Sequence, residues 1–484
     1  MKKISFLLLL VSGLAFGQIT QFVTRQEFYT RAAVTLFVGP TGNDSNPCTA
    51  TGAAACLTFN GALSKVPKRV RHNVTITSAA GSWTETITMN GFTLSSELGN
   101  VTITLTGPAL VAFTPATGTA SGTLTNVAGL GSGAFAQRVT DNTQSWTVND
   151  LRGRFFTVAG VSRPIIANTA TTIDVARTSA FTIGNTYTID TPATSITGAG
   201  GLQGLIIQGL SGTGSVVVNN LSITGGQAVS ISTATLTPAV NFTNDRILGV
   251  ASTGFSVSGV QTAVTRTYMT ANGTTLPAIV CSGKAQCTVS EDYAHSAATA
   301  ASFQPTVAVN AGASFIGASV FENTSSTGHV MEFLPINGQV SSGQPRGRFV
   351  CASGSAGAAI HVSSGTMSGL QYDIVAHPVR FQNGFSISPT SLDVENCAIG
   401  FRGYGDVWVT NNNTGATAWY FNNVTTAFDL AYGARVIFGA SATFTFTGVT
   451  NQFLLDGTAK TLVQLDAAGP PALLSTGYFT LIAR

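Results

Sequence analysis

Charged side chains are scarce in this chain. Aspartate, glutamate, lysine and arginine make up 9% of its 484 residues, against about 25% in an average soluble domain. Surface helices need those residues on their solvent faces, so the composition excludes a mostly helical protein. The net charge of +3 is close to zero for this length, and no stripe of lysine and arginine is present to neutralise phosphates. We therefore expect no nucleic-acid partner.

Sequence motifs that indicate a particular catalytic activity or cofactor are also absent from the sequence. The sequence contains no nucleophile elbow, no phosphate-binding loop and no HExxH zinc motif. Its cysteines form no CxxC pair and have no histidine cluster beside them, which argues against zinc. We expect no cofactor and no metal site, with calcium as an unsupported alternative.

The one long apolar run lies at the N-terminus. Lys2 and Lys3 precede an apolar stretch at 4–14, and the small residues Ala15 and Gly17 follow it. This order predicts a signal peptide at 1–17, cleaved after Gly17, and thus a secreted or cell-surface protein. A membrane anchor needs about 20 apolar residues, so we predict no membrane span here or elsewhere.

Glycine, threonine, serine and asparagine take the place of the missing charge, and 53 residues are glycine. This composition is typical of many short strands joined by tight turns. From residue 199 onward, short β-branched or aromatic runs that end in a polar residue recur, mostly about 21 to 31 residues apart, which is roughly the length of one solenoid coil. The runs lie at 240–245, 264–268, 287–292, 318–323, 370–373, 392–396 and 419–423.

The stretch 37–78 reads as a strand, a turn-dense loop, a short helix and a second strand. Its motif residues are Phe37, Val38, Gly42, Asp44, Asn46, Thr58, Ala62 and Leu63. They resemble the N-terminal cap of the pectate-lyase-like superfamily of right-handed parallel β-helices. The resemblance implies the fold and leaves the activity open, because that cap occurs on enzymes and on non-enzymatic fibres.

We therefore predict an all-β fold: a right-handed parallel β-helix with an N-terminal cap helix and an inserted small antiparallel β-module. The predicted segments are the signal peptide (1–17), cap and first coils (18–110), inserted module (111–196), parallel β-helix (197–460) and a C-terminal cap or interface strand (461–484). The module is predicted from its charge- and aromatic-rich hairpin pattern at 141–175, and we expect it to project sideways from the solenoid.

Six cysteines in an exported chain permit disulfides. The short spacings predict two local bonds, Cys48 with Cys56 and Cys281 with Cys287. Cys351 and Cys397 fall two coils apart in the repeat alignment, about 9.6 Å at the usual strand spacing and beyond disulfide reach. We predict no bond between them.

Polar residues recur where the aligned runs end. We favour turns built from stacked asparagine-like residues over a catalytic groove or a calcium site. A glycan lyase or hydrolase needs carboxyl groups together with a cationic partner. If the chain is an enzyme, the candidate catalytic residues are Asp292, Glu322 and Asp373, with Arg348 or His377 as the cation.

Three functions remain open. The first is a non-catalytic exported surface or fibre protein whose partner is a polysaccharide, a cell-surface glycan or another surface. The second is a polysaccharide lyase or glycoside hydrolase acting in a groove along the coils. The third is self-assembly into a homo-oligomer, motivated by the apolar strand pattern near the C-terminus. Whether the chain is an enzyme stays open at this point.

Overall fold

The protein folds as an all-β parallel β-helix with an inserted antiparallel module, seen in a computed structural model. The fold class predicted from the sequence is confirmed. The structure describes residues 29–95, 99–130, 135–176, 180–233, 237–272, 277–297, 304–310, 312–334, 342–352, 356–363, 392–404, 408–411, 417–431, 435–438, 442–455, 462–465 and 481–483. The predicted signal peptide lies outside these residues.

The coils have three faces. A 17-stranded parallel sheet supplies the first and second faces, and a 12-stranded parallel sheet supplies the third. First-face strands are Val34–Val38, Val74–Ser78, Thr102–Thr106, Ser215–Asn219, Ala239–Thr243 and Gln261–Thr265. Second-face strands are Gly81–Thr84, Thr194–Thr197, Leu221–Gly225, Arg246–Gly249, Tyr268–Asn272, Leu392–Glu395, Thr417–Asn422 and Ala442–Thr447. Three strands run through both faces: Gln286–Ala297, Ser314–Asn323 and Ser342–Cys351.

The third face carries twelve strands: Ile87–Asn90, Leu205–Gln208, Val229–Ser232, Phe255–Ser258, Ile279–Ser282, Val307–Asn310, Met331–Leu334, Ala358–Ser363, Ile399–Tyr404, Thr426–Ala431, Asn451–Leu455 and Leu481–Ala483. Two small parallel sheets complete the coils: Arg69–Val70, Thr93–Leu94 and Ser211–Gly212, then Trp408–Asn411, Arg435–Phe438 and Leu462–Leu465. Alternate side chains of each strand point inward, and one continuous apolar core follows the axis from Leu36 to Phe453.

The cap motif is a hydrogen-bond network around helix α1 (Phe59–Ser64). Asp44 accepts hydrogen bonds from the backbone N–H groups of Leu57 and Thr58, at 2.8 and 2.9 Å. Thr58 is the N-cap residue of α1, and its hydroxyl accepts a 2.8 Å bond from the Gly61 N–H. A side chain at Gly42 would meet the Cys56 carbonyl. The motif therefore closes the loop over the first coil.

In the turns of the solenoid, residues with a left-handed backbone conformation recur at equivalent positions of successive coils. Asn220 and Asn244 (φ 57° and 56°) lie between the first and second faces of successive coils. Asn396 and Asn423 lie between the second and third faces, and Asn423 Nδ2 donates a 2.8 Å hydrogen bond to Asn396 Oδ1. Asparagine tolerates this conformation better than most residues, so these positions fit the favoured turn-ladder interpretation.

The inserted module is an eight-stranded antiparallel sheet: Val111–Ala112, Ser121–Thr123, Asn126–Gly129, Ala136–Thr140, Phe155–Val158, Val161–Asn168, Thr172–Ala176 and Thr186–Thr191. It has its own apolar core around Trp146, Phe156 and Tyr187. The segment boundaries stay predictions. The module does not simply project sideways, because a second apolar cluster packs its Ile166 against Tyr293 of the solenoid.

Three disulfides are present: Cys48–Cys56, Cys281–Cys287 and Cys351–Cys397. The first two are the predicted local bonds. The expectation that Cys351 and Cys397 stay unbonded is wrong, since their Cα atoms lie 5.0 Å apart. The strand that ends at Cys351 pairs directly with Leu392–Glu395, so the two cysteines belong to adjacent coils. Disulfides are typical of oxidising compartments.

Among the residues that the structure describes, no helix is long and apolar enough to cross a membrane. The predicted C-terminal segment 461–484 is described only at 462–465 and 481–483. Its role as a cap or interface stays a prediction.

Candidate functional site

Chemistry-bearing side chains gather on the outward side of the second face. On three neighbouring strands, the side chains of Ala294, Phe321 and Phe349 lie in the core. The residues immediately before and after each of them therefore point outward. Strand register then stacks the outward residues of successive coils in two columns. One column runs Ser222, Arg246, Tyr268, Tyr293, Val320, Arg348, Asp393 and Tyr420; the other includes Thr270, His295, Glu322, Val350, Glu395 and Asn422.

Asp292 does not belong to either column. It lies in the turn between the first and second faces and is fully buried. Its carboxylate accepts backbone hydrogen bonds from Thr267 in the preceding coil and Ser290 in its own coil, at 2.7 and 2.6 Å. Burial raises the pKa of Asp292 well above the usual range, against the lowering effect of these two bonds. Asp245 spans the turn two coils earlier in the same way, so this carboxylate type holds turns together.

Glu322 lies on the outward face, as a binding or catalytic role requires. Both of its oxygens lie 3.3 Å from an Nη atom of Arg152, which comes from the inserted module. Tyr293 Oη donates a further hydrogen bond to Glu322 Oε2. Burial, followed by the nearby Glu322 charge, raises the pKa of Tyr293 well above its ordinary value, so the phenol keeps its proton. Arg152 and Glu322 remain partly exposed, at 27% and 16% of their side chains.

Arg348 lies on the same face, in the coil that follows Glu322. Its Nη2 lies 2.6 Å from Glu395 Oε2, and its Nε lies 4.0 Å from Asp393 Oδ2. Asp393 and Glu395 are two residues apart on one strand and therefore share the outward side. Tyr420 is the next residue in register after Asp393 and is half-buried. Glu322 and Arg348 were among the candidates chosen from the sequence, whereas Asp393, Glu395 and Tyr420 were not chosen.

His295 is the neighbour of Glu322 in the adjacent strand. Its imidazole stacks on Tyr293, with ring centroids 5.8 Å apart, and only 5% of the residue is exposed. Burial lowers the pKa of His295 to about 4; Glu322 opposes this shift and Arg152 adds to it. The imidazole is therefore neutral at pH 7. Among the described residues, neither ring nitrogen has a hydrogen-bond partner.

The remaining predicted candidates, Asp373 and His377, lie outside the described residues, and their roles stay predictions. Charged residues also lie on the third face. Position 361, a histidine, stands in register between Glu332 and Arg402. Arg402 Nε lies 3.1 Å from Asp429 Oδ2 in the next coil, where the carboxylate is fully buried. Only the strand register of folded coils places these residues together.

Within the described ranges, no group of three or more histidine, cysteine, aspartate and glutamate residues is arranged to hold a metal ion. In the part of the second face that the structure describes, no glycine-rich helix terminus of the kind that binds phosphate cofactors is present. What the face offers is a set of donors and acceptors: Arg152 and Arg348 with the carboxylates of Glu322, Asp393 and Glu395, and the tyrosine hydroxyls. Such groups suit the hydrogen bonding of a polar, hydroxyl-rich ligand.

No protein-family model matches this chain, and no curated protein matches it. Similar solved structures include a protein described as a glycoside hydrolase, at 8% identity, covering 89% of this chain and 96% of the other, with a TM-score of 0.28. They also include the tailspike protein gp49 from Pseudomonas phage LKA1, at 10% identity, covering 84% of this chain and 70% of the other, with a TM-score of 0.24. At these values neither likeness carries an argument about activity.

Proposed function

We propose that this chain is an exported, non-catalytic β-helix protein that binds a glycan on the outward side of its second face. The binding surface is the part of that face formed by Glu322, Arg348, Glu395 and Tyr420. Its arginine and carboxylates recognise sugar hydroxyls through hydrogen bonds, and the tyrosine ring offers a surface on which a sugar can stack.

One observation carries the proposal: the carboxylates of this face are already paired. Glu322 is bonded to Arg152 and Tyr293, and Glu395 is bonded to Arg348. These carboxylate oxygens already accept hydrogen bonds from protein donors, whereas glycan cleavage needs carboxyl groups directed at the substrate. The same pairing fixes the orientation of these oxygens, which suits recognition of hydroxyl groups.

Export is supported by the signal-peptide pattern at 1–17 and by the disulfide content of the chain. Cytosolic thiols are kept reduced, whereas disulfide bonds such as Cys48–Cys56 and Cys281–Cys287 persist outside the cell. Detection of the mature chain, starting at Gln18, in the culture medium or on the cell surface would test this part of the proposal.

Binding is tested with the mature protein and a panel of immobilised neutral and acidic polysaccharides. We expect retention on at least one polymer and at least tenfold weaker retention of the Tyr420→Ser variant. Tyr29→Ser is the matched control, because Tyr29 is an exposed tyrosine at the opposite, capped end of the solenoid. Equal retention of wild type and Tyr420→Ser, or no retention on any polymer, would contradict the proposal.

Glycoside hydrolysis is the second candidate, and the relation between Asp393 and Glu395 favours it. Both carboxyl groups lie on the outward side of one strand within 4.0 Å of Arg348, and glycosidases cleave with a pair of carboxyl groups. The same polysaccharide panel is assayed for new reducing ends and for the absorbance of unsaturated sugars. Product release that is lost in both Asp393→Asn and Glu395→Gln, and kept in the module variant Asp174→Asn, would replace the binding proposal by this one.

A further inference from the structure

Two arginines lie close together where the inserted module meets the second face of the solenoid. Arg246 points outward from that face, in the same column as Arg348. Its Nε donates a 3.1 Å hydrogen bond to the carbonyl of Gly153 in the module. Arg154 is the next residue of the module, and the carbon of its guanidinium lies 4.1 Å from the centroid of the Phe113 ring. Each guanidinium is therefore held in place by a contact with the module.

Neither of these arginines is paired with a carboxylate. Among the residues that the structure describes, neither Arg154 nor Arg246 forms an ion pair. The charge of Asp150 acts on Arg154, but Oδ2 of Asp150 accepts a 2.7 Å hydrogen bond from the backbone N–H of Ala116 instead. Two positive charges thus face one carboxylate, and this place on the surface has an excess of positive charge.

The terminal nitrogen atoms of both arginines can reach a ligand. Both residues are partly exposed to solvent. In the described part of the chain, no Nη atom of Arg154 or Arg246 has a hydrogen-bond partner, and none of these atoms is buried. The Nε atoms are not available, because that of Arg246 is bonded to Gly153 and that of Arg154 is buried. The Nη groups are therefore free donors that face solvent.

We infer that Arg154 and Arg246 form a subsite for one oxyanion group of an acidic glycan, either the carboxylate of a uronic acid or a sulfate ester. The inference rests on the proposed glycan-binding function and narrows the ligand to an acidic polymer. Arginine presents its N–H donors in a planar fork that matches the oxygens of both groups. Because Gly153 and Phe113 already orient the two forks, little side-chain freedom is lost when the oxyanion binds.

The local charges favour a negative ligand at this place. Burial, and then the nearby charge of Arg154, lowers the pKa of Arg246 to about 10, so the side chain is still charged at pH 7. Burial also lowers the pKa of Arg154, and the charge of Asp150 opposes this change. A bound oxyanion offsets the repulsion between the two guanidinium groups, because it is attracted to both of them.

The acidic pair on the same face lies too far away to repel that ligand. Arg246 precedes Arg348 by four coils in the register of the second face, which corresponds to about 19 Å at the usual strand spacing. Asp393 and Glu395 belong to the coil after Arg348. Salt screens exposed charges that are more than about 8 Å apart. The arginine subsite is therefore electrostatically independent of the Arg348–Tyr420 part of the face.

The first test uses the unsubstituted mature protein and phenylglyoxal, a reagent that modifies accessible guanidinium groups. We expect Arg154 and Arg246 to react, and we expect glucuronate or a glucose sulfate ester to protect both of them where glucose does not. The sugar that protects identifies the bound group as a carboxylate or a sulfate. Arg71 is the control, because its guanidinium carbon also lies over an aromatic ring, 4.4 Å from the centroid of Tyr29 in the cap. Its reactivity should not change.

Two outcomes of that experiment would overturn the inference without any substitution. The first is unchanged reactivity of Arg154 and Arg246 with both acidic sugars. The second is protection by inorganic sulfate but by neither acidic sugar, which would identify a site for simple anions only.

Variants then separate the subsite from the rest of the binding surface. Arg154→Gln and Arg246→Gln should each weaken retention on polygalacturonate or dextran sulfate roughly tenfold, and Arg71→Gln should not. Arg154→Lys and Arg246→Lys keep the charge but lose the fork, so their retention should fall between that of wild type and that of the glutamine variants.

The same columns distinguish a failure of the subsite from a failure of the proposed function. Retention on neutral dextran alone would overturn the subsite and leave the proposed function standing. So would retention on acidic polymers that Tyr420→Ser abolishes and both glutamine variants keep. A wild-type protein that no polymer retains, and whose arginines no acidic sugar protects, would overturn both.

Discussion

Arg163, on a strand of the inserted module, donates a 3.2 Å hydrogen bond from Nε to Oε1 of Glu291 in a turn of the solenoid. Glu291 also accepts a 2.8 Å bond from Arg266 in the preceding coil. Both solenoid residues have the left-handed conformation, at turn positions where earlier coils carry Asn220 and Asn244. The two turn positions that hold a charged residue in place of asparagine are therefore the ones beside the attached module.

Replacing Glu291 by asparagine should loosen the module and leave the solenoid folded. Asparagine suits the left-handed turn, but it cannot form ion pairs with Arg163 and Arg266. Removing one partner of a buried ion pair costs about 3 kcal/mol. Here that cost weakens the attachment of the module to the solenoid. We expect faster amide hydrogen exchange in Val161–Asn168, with little change in the first coils.

The control for this variant is Asp174→Asn, which breaks the ion pair with Arg138 inside the module. Arg138 is 45% exposed, and exposed pairs contribute about 0–1 kcal/mol. Exchange in Val161–Asn168 that rises equally in both variants, or in neither, would show that Glu291 does not hold the module.

Gly153 offers a second test of the docked arrangement. Its φ is 70°, and a Cβ atom there would lie 2.5 Å from Cε1 of Tyr268 on the second face. Gly153→Ala should therefore destabilise docking by about 1–3 kcal/mol, from backbone strain and from overpacking. Gly160→Ala is a close match, since its φ is 76° and no atom lies within 4 Å of the added Cβ. A larger loss of stability in Gly153→Ala than in Gly160→Ala, measured by urea unfolding, is the expected result.

The cap and the turns were predictable from the sequence because each depends on contacts between residues close in the chain. Asp44 bonds to Leu57 and Thr58 within a single loop, and a left-handed turn needs only one suitable residue. Such features can be recognised within a short stretch of the sequence. The same reasoning explains why the bonds between Cys48 and Cys56 and between Cys281 and Cys287 could be predicted.

Contacts between coils were not predictable in the same way, because coil length varies. The expectation that Cys351 and Cys397 lie two coils apart counted the run at 370–373 as a coil of its own. The strands Ser342–Cys351 and Leu392–Glu395 instead pair directly. The outward columns of the second face depend on the same register, so Arg348 could be proposed without its partners Asp393 and Glu395.

Thiol chemistry checks the corrected pairing. The mature chain should contain no free thiol in denaturant and six after reduction, as three disulfides require. The Cys351–Cys397 bond closes a loop with a sequence separation of 46, which corresponds to about 4 kcal/mol in the chain-entropy model. The double variant Cys351→Ser with Cys397→Ser should lose stability on that order in urea unfolding. Two free thiols in the unreduced wild type would contradict the pairing.

His295 should make the stability of the fold depend on pH in one direction. Burial lowers its pKa from 6.5 to about 4 in the folded protein, whereas the unfolded chain retains a value near 6.5. Between these values the unfolded chain binds more protons, so the free energy of unfolding rises with pH. The contribution is complete above about pH 6.5, and about 3 kcal/mol is lost as the pH falls to about 4.

Urea unfolding of wild type and His295→Gln at pH 7.5, 6, 5 and 4 isolates this effect. Asp245 and Asp292 have raised pKa values and act in the opposite direction, but both proteins share them, so the difference between the two curves removes their contribution. Wild type should lose more stability than the variant between pH 6.5 and 4. Parallel curves over that range would mean that His295 titrates in the fold as it does in the unfolded chain.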